Sequence, residues 1–152
     1  MQAFLLAAGL GTRLRPVTDA YAKPAVPFLN VPLLFWSLEL VQQLKPTSLV
    51  INLHHLPQTV QNLMKSPAAR SLIPSWSLEA DAPLGSGGAL TFAASQGLLT
   101  DEELIVANAD EVILPLNKTA MSRLLAKHRQ SGAIATLLTM RHADAGTKFG
   151  GV

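Results

Sequence analysis

Short apolar runs alternate with helix-compatible segments along this chain, and this alternation constrains its fold more than any other feature. Strands are predicted over residues 3–8, 48–53, 76–79, 104–107 and 133–140. Helices are predicted over residues 32–44, 58–64, 84–97 and 118–130. Because the strands are apolar on both faces, the pattern is typical of a parallel sheet. We therefore predict an α/β fold with a mostly parallel sheet and helices on both faces.

Composition excludes several classes of protein. The chain has 152 residues, the size of one domain, with 49% hydrophobic and 14% charged residues. That balance is incompatible with intrinsic disorder. No apolar run reaches the length of a membrane-spanning helix. The chain has no cysteine, so disulfides, thiolate metal sites and cysteine nucleophiles are excluded.

The charge pattern disfavours nucleic acid and membrane partners. Twelve basic and ten acidic residues are scattered along the chain, with a net charge of +2 and no basic cluster. The apolar start has no basic residue before it, unlike a secretory signal peptide. We expect a cytoplasmic protein with no nucleic acid and no membrane partner.

A loop with two glycines follows the first predicted strand. Gly9 and Gly11 lead into Thr12 and Arg13. Glycines let backbone N–H groups approach phosphate oxygens, and arginine can hold a phosphate by bidentate hydrogen bonds. In an open α/β sheet such a loop lies where ligands bind. A tight turn without a ligand is the alternative interpretation.

Two common phosphate loops do not fit this segment. The dinucleotide fingerprint needs a third glycine where Leu14 stands, and the P-loop needs Gly-Lys-Ser/Thr where residues 14–16 are Leu-Arg-Pro. Prolines at 16, 24 and 27 predict a long, stiff loop over residues 13–31.

Residues 6–16, Leu-Ala-Ala-Gly-Leu-Gly-Thr-Arg-Leu-Arg-Pro, are followed by Lys-Pro-Ala-Val-Pro at 23–27. Together they resemble the signature of the sugar-1-phosphate nucleotidyltransferases. Three further segments resemble that family in the same order: 83–90 (Pro-Leu-Gly-Ser-Gly-Gly-Ala-Leu), 108–110 (Asn-Ala-Asp) and 149–152 (Phe-Gly-Gly-Val). The resemblance covers the whole chain, so we expect one Rossmann-like nucleotidyltransferase domain over residues 1–152.

The resemblance implies transfer of a nucleotidyl group from a nucleoside triphosphate to a sugar-1-phosphate, with release of pyrophosphate. It implies that Arg13 clamps the leaving phosphates, that Lys23 steadies the α-phosphate or the sugar phosphate, and that Asp110 binds Mg²⁺. It implies a sugar contact at Gly150. The nucleotide-binding residues it implies are Leu6, Ala7, Ala8, Gly9, Gly11, Thr12, Arg13, Lys23, Gly85, Ser86 and Asn108.

Each of these residues also has a plain structural interpretation. Arg13 could be a surface charge, Lys23 a solvated loop residue and Asp110 a turn or cap residue. Ser86 could be only the N-cap of the following helix. The neighbouring pair His54-His55 would point to opposite faces of a strand end, so we do not expect it to chelate a metal ion.

The sequence departs from the family pattern in three ways. Ala109 replaces a glycine, and Ser86-Gly87 replaces Thr-Ala. The family domain also continues with a Glu-Lys-Pro segment and a second magnesium-binding aspartate, which are absent here. We therefore expect either an incomplete domain or a shortened enzyme whose sugar pocket is completed by a second subunit. In the second case, the protein could be a homo-oligomer. The rival hypothesis is a non-catalytic subunit that binds nucleotide or sugar phosphate.

Overall fold

The structure is a computed structural model, and it describes residues 1–69, 73–100, 103–113 and 119–147. The chain divides into two compact units, Met1–Leu116 and Asn117–Val152. The first unit contains every strand found in the described residues.

A four-stranded parallel sheet forms the centre of the first unit. Its strands are β1 (Gln2–Leu6), β4 (Ser48–Leu53), β5 (Ser75–Leu78) and β6 (Leu104–Asn108), in the spatial order β5-β4-β1-β6. The helices of this unit are α1 (Leu33–Gln42), α2 (Pro57–Met64) and α3 (Gly85–Ser95). The predicted α/β class is confirmed, and each predicted element up to residue 108 has its counterpart within a few residues.

Alternation along β1 explains why helices cover both faces of the sheet. Ala3 and Leu5 point to one face, where they pack in the cluster that contains α1 and α2. Phe4 points to the other face, against Ala89 and Ala93 of α3. These five side chains are fully buried. Their burial removes apolar surface from water, which stabilises the sheet.

The strands that follow β1 in the sequence lie on both sides of it: β4 and β5 on one side, and β6 on the other. From β1 the chain runs through α1 to β4, and through α2 to β5, so both steps move toward one edge. It then passes through α3 on the opposite face and returns to β6, on the other side of β1. The carboxyl ends of β1 and β6 therefore form a topological switch point, where open α/β sheets bind ligands.

The segment after β1 is more ordered than the sequence predicts. In place of one long, stiff loop, the structure has three single-turn 3-10 helices, Thr12–Leu14, Val17–Asp19 and Lys23–Ala25. A two-residue antiparallel pair, β2 (Pro27–Phe28) with β3 (Val31–Pro32), follows them. Proline fixes φ near the value that such turns need, so the prolines shape the turns rather than exclude them.

The second unit contains α4 (Ala120–Ser131), whose C-cap residue Gly132 lies in the left-handed region with φ 62°. The strand predicted over residues 133–140 is wrong: this segment has no strand, and Ile134 and Met140 are 103% and 81% exposed. β-forming residues need a hydrogen-bonded partner strand as well as propensity. The segment 149–152, which resembles the family, lies outside the described residues. In the described part of the chain, no helix combines the length and apolarity needed to cross a bilayer.

Candidate functional site

An open cleft of about 220 Å³ lies in the first unit, bordered by the segments that follow β1, β4, β5 and β6. Its position at the switch point follows from the parallel order of the strands. The predicted residues that line it are Leu6, Ala7, Ala8, Gly9, Lys23, Gly85, Ser86, Asn108 and Asp110. Four lining residues were not predicted: Pro24, Asn52, Pro83 and Glu79.

The two glycines of the loop after β1 have different structural environments. Gly11 has φ 64°, and a Cβ at this position would lie 2.8 Å from Thr18 Cγ2. Thr18 is buried and its hydroxyl donates to the Gly11 carbonyl over 2.8 Å. A Cβ at Gly9 would have no heavy atom within 4 Å. Gly11 is therefore required by the fold, whereas Gly9 leaves open space beside the cleft.

Lys23 and Asp110 form an ion pair at the cleft, although they are far apart in the sequence. Lys23 opens the 3-10 turn Lys23–Ala25, and Asp110 comes two residues after β6. The buried Ala109 donates its N–H to the Leu6 carbonyl over 2.9 Å, which extends the β1–β6 ladder to Asp110. The side chains of Lys23 and Asp110 are 33% and 19% exposed, so both remain accessible to a ligand in the cleft.

The carboxylate of Asp110 fits a shared magnesium site better than a site made by protein alone. No group of three metal-ligating side chains occurs among residues 1–69, 73–100, 103–113 and 119–147. Mg²⁺, however, is commonly held by one or two carboxylates together with substrate phosphate oxygens. The adjacent Glu111 is exposed, does not line the cleft, and accepts a hydrogen bond from Asn108 Nδ2.

A buried polar network, missed at the level of sequence, connects the segments after β1, β4 and β5. Asn52 Oδ1 accepts from the Ala7 N–H over 2.6 Å, and Asn52 Nδ2 donates to Glu79 Oε1 over 2.7 Å. Glu79 Oε2 accepts from the Leu84 N–H over 2.7 Å. Asn52 and Glu79 are each 3% exposed. The one available signal was a single polar residue, Asn52, within the apolar run 49–53.

The start of α3 provides the other side of the cleft. Gly85 has φ 70°, and Leu84 is the N-cap residue without a side-chain capping hydrogen bond. Ser86 lies in the first turn, so its interpretation as the N-cap is wrong. The first N–H groups of a helix lack intrahelical partners, and this end of α3 borders the cleft.

Arg13, Thr12 and Gly11 lie beside the cleft loop but not in its lining. Arg13 is exposed on the turn Thr12–Leu14 and forms no ion pair with the part of the chain that the structure describes. Arg15, by contrast, pairs with Asp19 over 3.2 Å at the surface. Gly150, the predicted sugar contact, lies outside the described residues.

The two adjacent histidines form hydrogen bonds with two separate backbone segments. His54 Nδ1 donates to the Glu79 carbonyl and His55 Nε2 to the Thr18 carbonyl, each over 2.7 Å. The tautomers follow from these contacts, because a carbonyl can only accept. The rings hold the segment after β5 and the turn at Thr18 in place.

A parallel sheet with a glycine loop and a lysine–aspartate pair at its switch point defines an α/β protein with a candidate ligand cleft at the carboxyl ends of its strands. Residues 2–152 match the nucleotidyl transferase family model, and the chain belongs to that family.

Curated relatives differ in the nucleotide that their names specify. The chain is 31% identical to UTP–glucose-1-phosphate uridylyltransferase of Synechocystis sp., over 91% of this chain and 37% of the relative. It is 29% identical to probable mannose-1-phosphate guanylyltransferase 3 of Oryza sativa subsp. japonica, over 99% of this chain and 40% of the relative. The chain thus spans about two fifths of the length of these relatives.

Two solved structures of similar fold are UDP-glucose pyrophosphorylases. The one from Acinetobacter baumanii gives a TM-score of 0.75 at 18% identity, over 87% of this chain and 53% of that one. A second, complexed with UDP-glucose, gives a TM-score of 0.74 at 17% identity, over 85% of this chain and 53% of that one. At this identity the likeness concerns the fold.

Proposed function

We propose that this chain contributes to transfer of a nucleotidyl group from a nucleoside triphosphate to a sugar-1-phosphate, which yields a nucleotide-sugar and pyrophosphate. Residues 1–152 then form the N-terminal, nucleotide-binding portion of a nucleotidyltransferase domain. The observation that carries the proposal is the Lys23–Asp110 pair beside the glycine loop, at the switch point of the sheet.

The glycine loop is suited to the triphosphate. Gly9 offers space for close approach of phosphate oxygens to backbone N–H groups, and Gly11 gives the loop its left-handed turn. Arg13 projects from the next turn without a described ion-pair partner, so its guanidinium is available to the phosphates that leave as pyrophosphate.

Lys23 and Asp110 supply opposite charges where the two substrates meet. Attack of a sugar phosphate oxygen on the α-phosphorus brings two anions together, so neutralisation and alignment are the main contributions of the protein. Lys23 suits this role as a compact point charge on the α-phosphate or the sugar phosphate. In the absence of ligand, its pairing with Asp110 keeps both charges compensated.

Asp110 is the residue that would hold Mg²⁺ in this site, together with phosphate oxygens of the nucleotide. When bound, the ion neutralises charge on the triphosphate and favours departure of pyrophosphate. Asn108 lies at the end of β6 and its amide, bonded to Glu111, borders the same side of the cleft. A cytoplasmic location and self-association stay predictions of the sequence.

Pyrophosphate release tests the proposal. The protein is incubated with Mg²⁺, each of the four common ribonucleoside triphosphates in turn, and glucose-1-phosphate or mannose-1-phosphate. Release that requires both substrates, and that falls at least tenfold in Lys23→Met, supports the transfer. Nucleotide binding without sugar-dependent release would show that these 152 residues bind nucleotide but do not catalyse the transfer on their own, as the hypothesis of a non-catalytic subunit expects.

A further inference from the structure

The segment from Gly11 to Lys23 folds back on itself and brings these two proposed phosphate contacts side by side. A Cβ on Gly11 would lie 3.3 Å from Lys23 Cβ and 2.8 Å from Thr18 Cγ2. Thr18 is 1% exposed, and its hydroxyl donates to the Gly11 carbonyl over 2.8 Å. Gly11 and Lys23 therefore keep their relative position only if Thr18 is held in place.

Two side chains that follow β4 hold this segment at Thr18 and at Ala22. His55 Nε2 donates to the Thr18 carbonyl over 2.7 Å. Thr59, in the first turn of α2, accepts from the Ala22 N–H over 3.1 Å and donates to the Leu56 carbonyl over 2.7 Å. Ala22 is fully buried, so Thr59 satisfies a donor that water does not reach. Both attachments come from residues 54–59, which we call the support turn.

The support turn is itself fixed to the sheet. His54 Nδ1 donates to the Glu79 carbonyl over 2.7 Å, and Leu56 packs against the hydrophobic cluster that contains side chains of β1 and β4. The Leu56 backbone is left-handed, with φ 46° and ψ 52°. A leucine keeps this conformation only where the surrounding structure imposes it. The support turn is therefore a rigid attachment for the segment that carries Gly11 and Lys23.

The side chains that make these attachments do not line the cleft, so they act on a bound nucleotide only through the residues that they hold. We infer that His55 and Thr59 are positioning residues for the phosphates of the nucleotide. Their bonds to Thr18 and Ala22 set the position of Gly11 relative to Lys23. The inference rests on the proposed function, which uses the glycine loop and Lys23 but gives the support turn no task.

The alignment of Gly11 and Lys23 matters most for the phosphate groups. Backbone N–H groups of the loop and the Lys23 ammonium have to meet phosphate oxygens at hydrogen-bond distance, and a displacement of about 1 Å removes much of the benefit of alignment. A loop that is ordered before the ligand arrives also lowers the entropic cost of binding. Loss of an attachment should therefore weaken contacts with the phosphates and leave contacts with the nucleoside nearly unchanged.

His55→Leu tests the inference, because leucine keeps an apolar side chain but has no hydrogen-bond donor. Titration calorimetry with Mg²⁺ measures affinity for the most tightly bound of the four common ribonucleoside triphosphates and for its monophosphate. We expect the triphosphate to bind roughly tenfold or more weakly than it does to the unmodified protein, and the monophosphate to change by less than about threefold. An unchanged ratio of the two affinities would overturn the inference.

His55→Gln and His54→Leu separate positioning from general structural support. The glutamine Nε2 amide can place an N–H near the site of the histidine Nε2–H, so His55→Gln should restore the affinity ratio to within about threefold of the unmodified protein. His54→Leu removes a bond of equal length, but that bond is made to the segment after β5. It should leave the ratio within about twofold. An equal fall of the ratio in His54→Leu and His55→Leu would refute the positioning role.

Thr59→Val and Thr59→Ser decide the question if His55→Leu does not fold. Valine removes the acceptor of the Ala22 N–H, whereas serine keeps it. We expect the ratio of triphosphate to monophosphate affinity to fall in Thr59→Val and to be retained in Thr59→Ser, and equal ratios would refute the inference. If no nucleoside triphosphate binds the folded, unmodified protein, the proposed function itself fails. That result is distinct from normal binding with unchanged ratios in the variants.

Discussion

Gly9 and Gly11 are two residues apart, but the structure assigns them separate tasks. Gly11 is held at φ 64° with Thr18 packed where a Cβ would be. Gly9 has open space around its Cα. The same residue type thus serves the fold at one position and leaves room for a ligand at the other.

Alanine at each glycine should separate these tasks. Gly11→Ala should lower the free energy of unfolding by about 2 kcal/mol, because the left-handed backbone and the contact with Thr18 both oppose a Cβ. Gly9→Ala should change it by less than about 0.5 kcal/mol but weaken triphosphate binding. Chemical denaturation and equilibrium dialysis measure the two quantities. A destabilised Gly9→Ala with normal nucleotide affinity would contradict this division.

Asp110→Asn tests the assignment of the magnesium ligand. The substitution keeps the shape of the side chain but removes the charge that would attract the ion. We expect triphosphate affinity to lose most of its dependence on Mg²⁺, with a stability change of about 1 kcal/mol or less because the pair with Lys23 is partly exposed.

The matched control for this change is Glu111→Gln, the adjacent carboxylate, which is exposed and bonded to Asn108. It should keep the magnesium dependence of the unmodified protein. Titrations in Mg²⁺ and in a chelator provide the measurement. Loss of the dependence in the control, with retention in Asp110→Asn, would move the assignment to Glu111.

Among the secondary-structure elements, those that follow from local sequence pattern were predicted correctly. The error concerns a strand whose formation depends on pairing with another strand. The helix-compatible segments located α1 and α3, and the apolar runs located β1, β4 and β6. The predicted strand at 133–140 failed because propensity does not supply a partner strand.

The candidate site divides in the same way. Motif residues of the glycine loop and Asp110 were recognisable in sequence, since their types and spacing are local. The Asn52–Glu79 network was not, because it joins residues 27 positions apart through the parallel register of β4 and β5. The carboxyl ends of β4 and β5 are neighbours only because these two strands pair in the sheet.

Asn52→Ala tests how strongly this network joins the elements. It leaves the Ala7 N–H and one oxygen of Glu79 buried without their partner. We expect a loss of about 3 kcal/mol in the free energy of unfolding, measured by urea denaturation. Asn62→Ala, at an exposed position in α2, should cost less than about 0.5 kcal/mol. Similar values for the two variants would show that the network adds little.

At the scale of the whole molecule, the strand order brings most of the candidate site residues to one cleft. The glycine loop follows β1, Asp110 follows β6, and Asn52 and Glu79 lie at the ends of β4 and β5. All of these residues belong to the compact unit Met1–Leu116, so the candidate nucleotide site lies within one unit. Binding of a ligand to the folded state should therefore also stabilise that unit against unfolding.

Calorimetric titration of the folded protein with nucleoside triphosphates and Mg²⁺ tests the central claim most directly. The account predicts saturable binding of one nucleotide per chain. It also predicts at least tenfold weaker binding in Arg13→Ala and little change in Arg15→Ala, whose side chain pairs with Asp19 instead. The account would be contradicted if none of the four ribonucleoside triphosphates gave a measurable heat of binding. Equal affinities of the two arginine variants for the nucleotide would also contradict it.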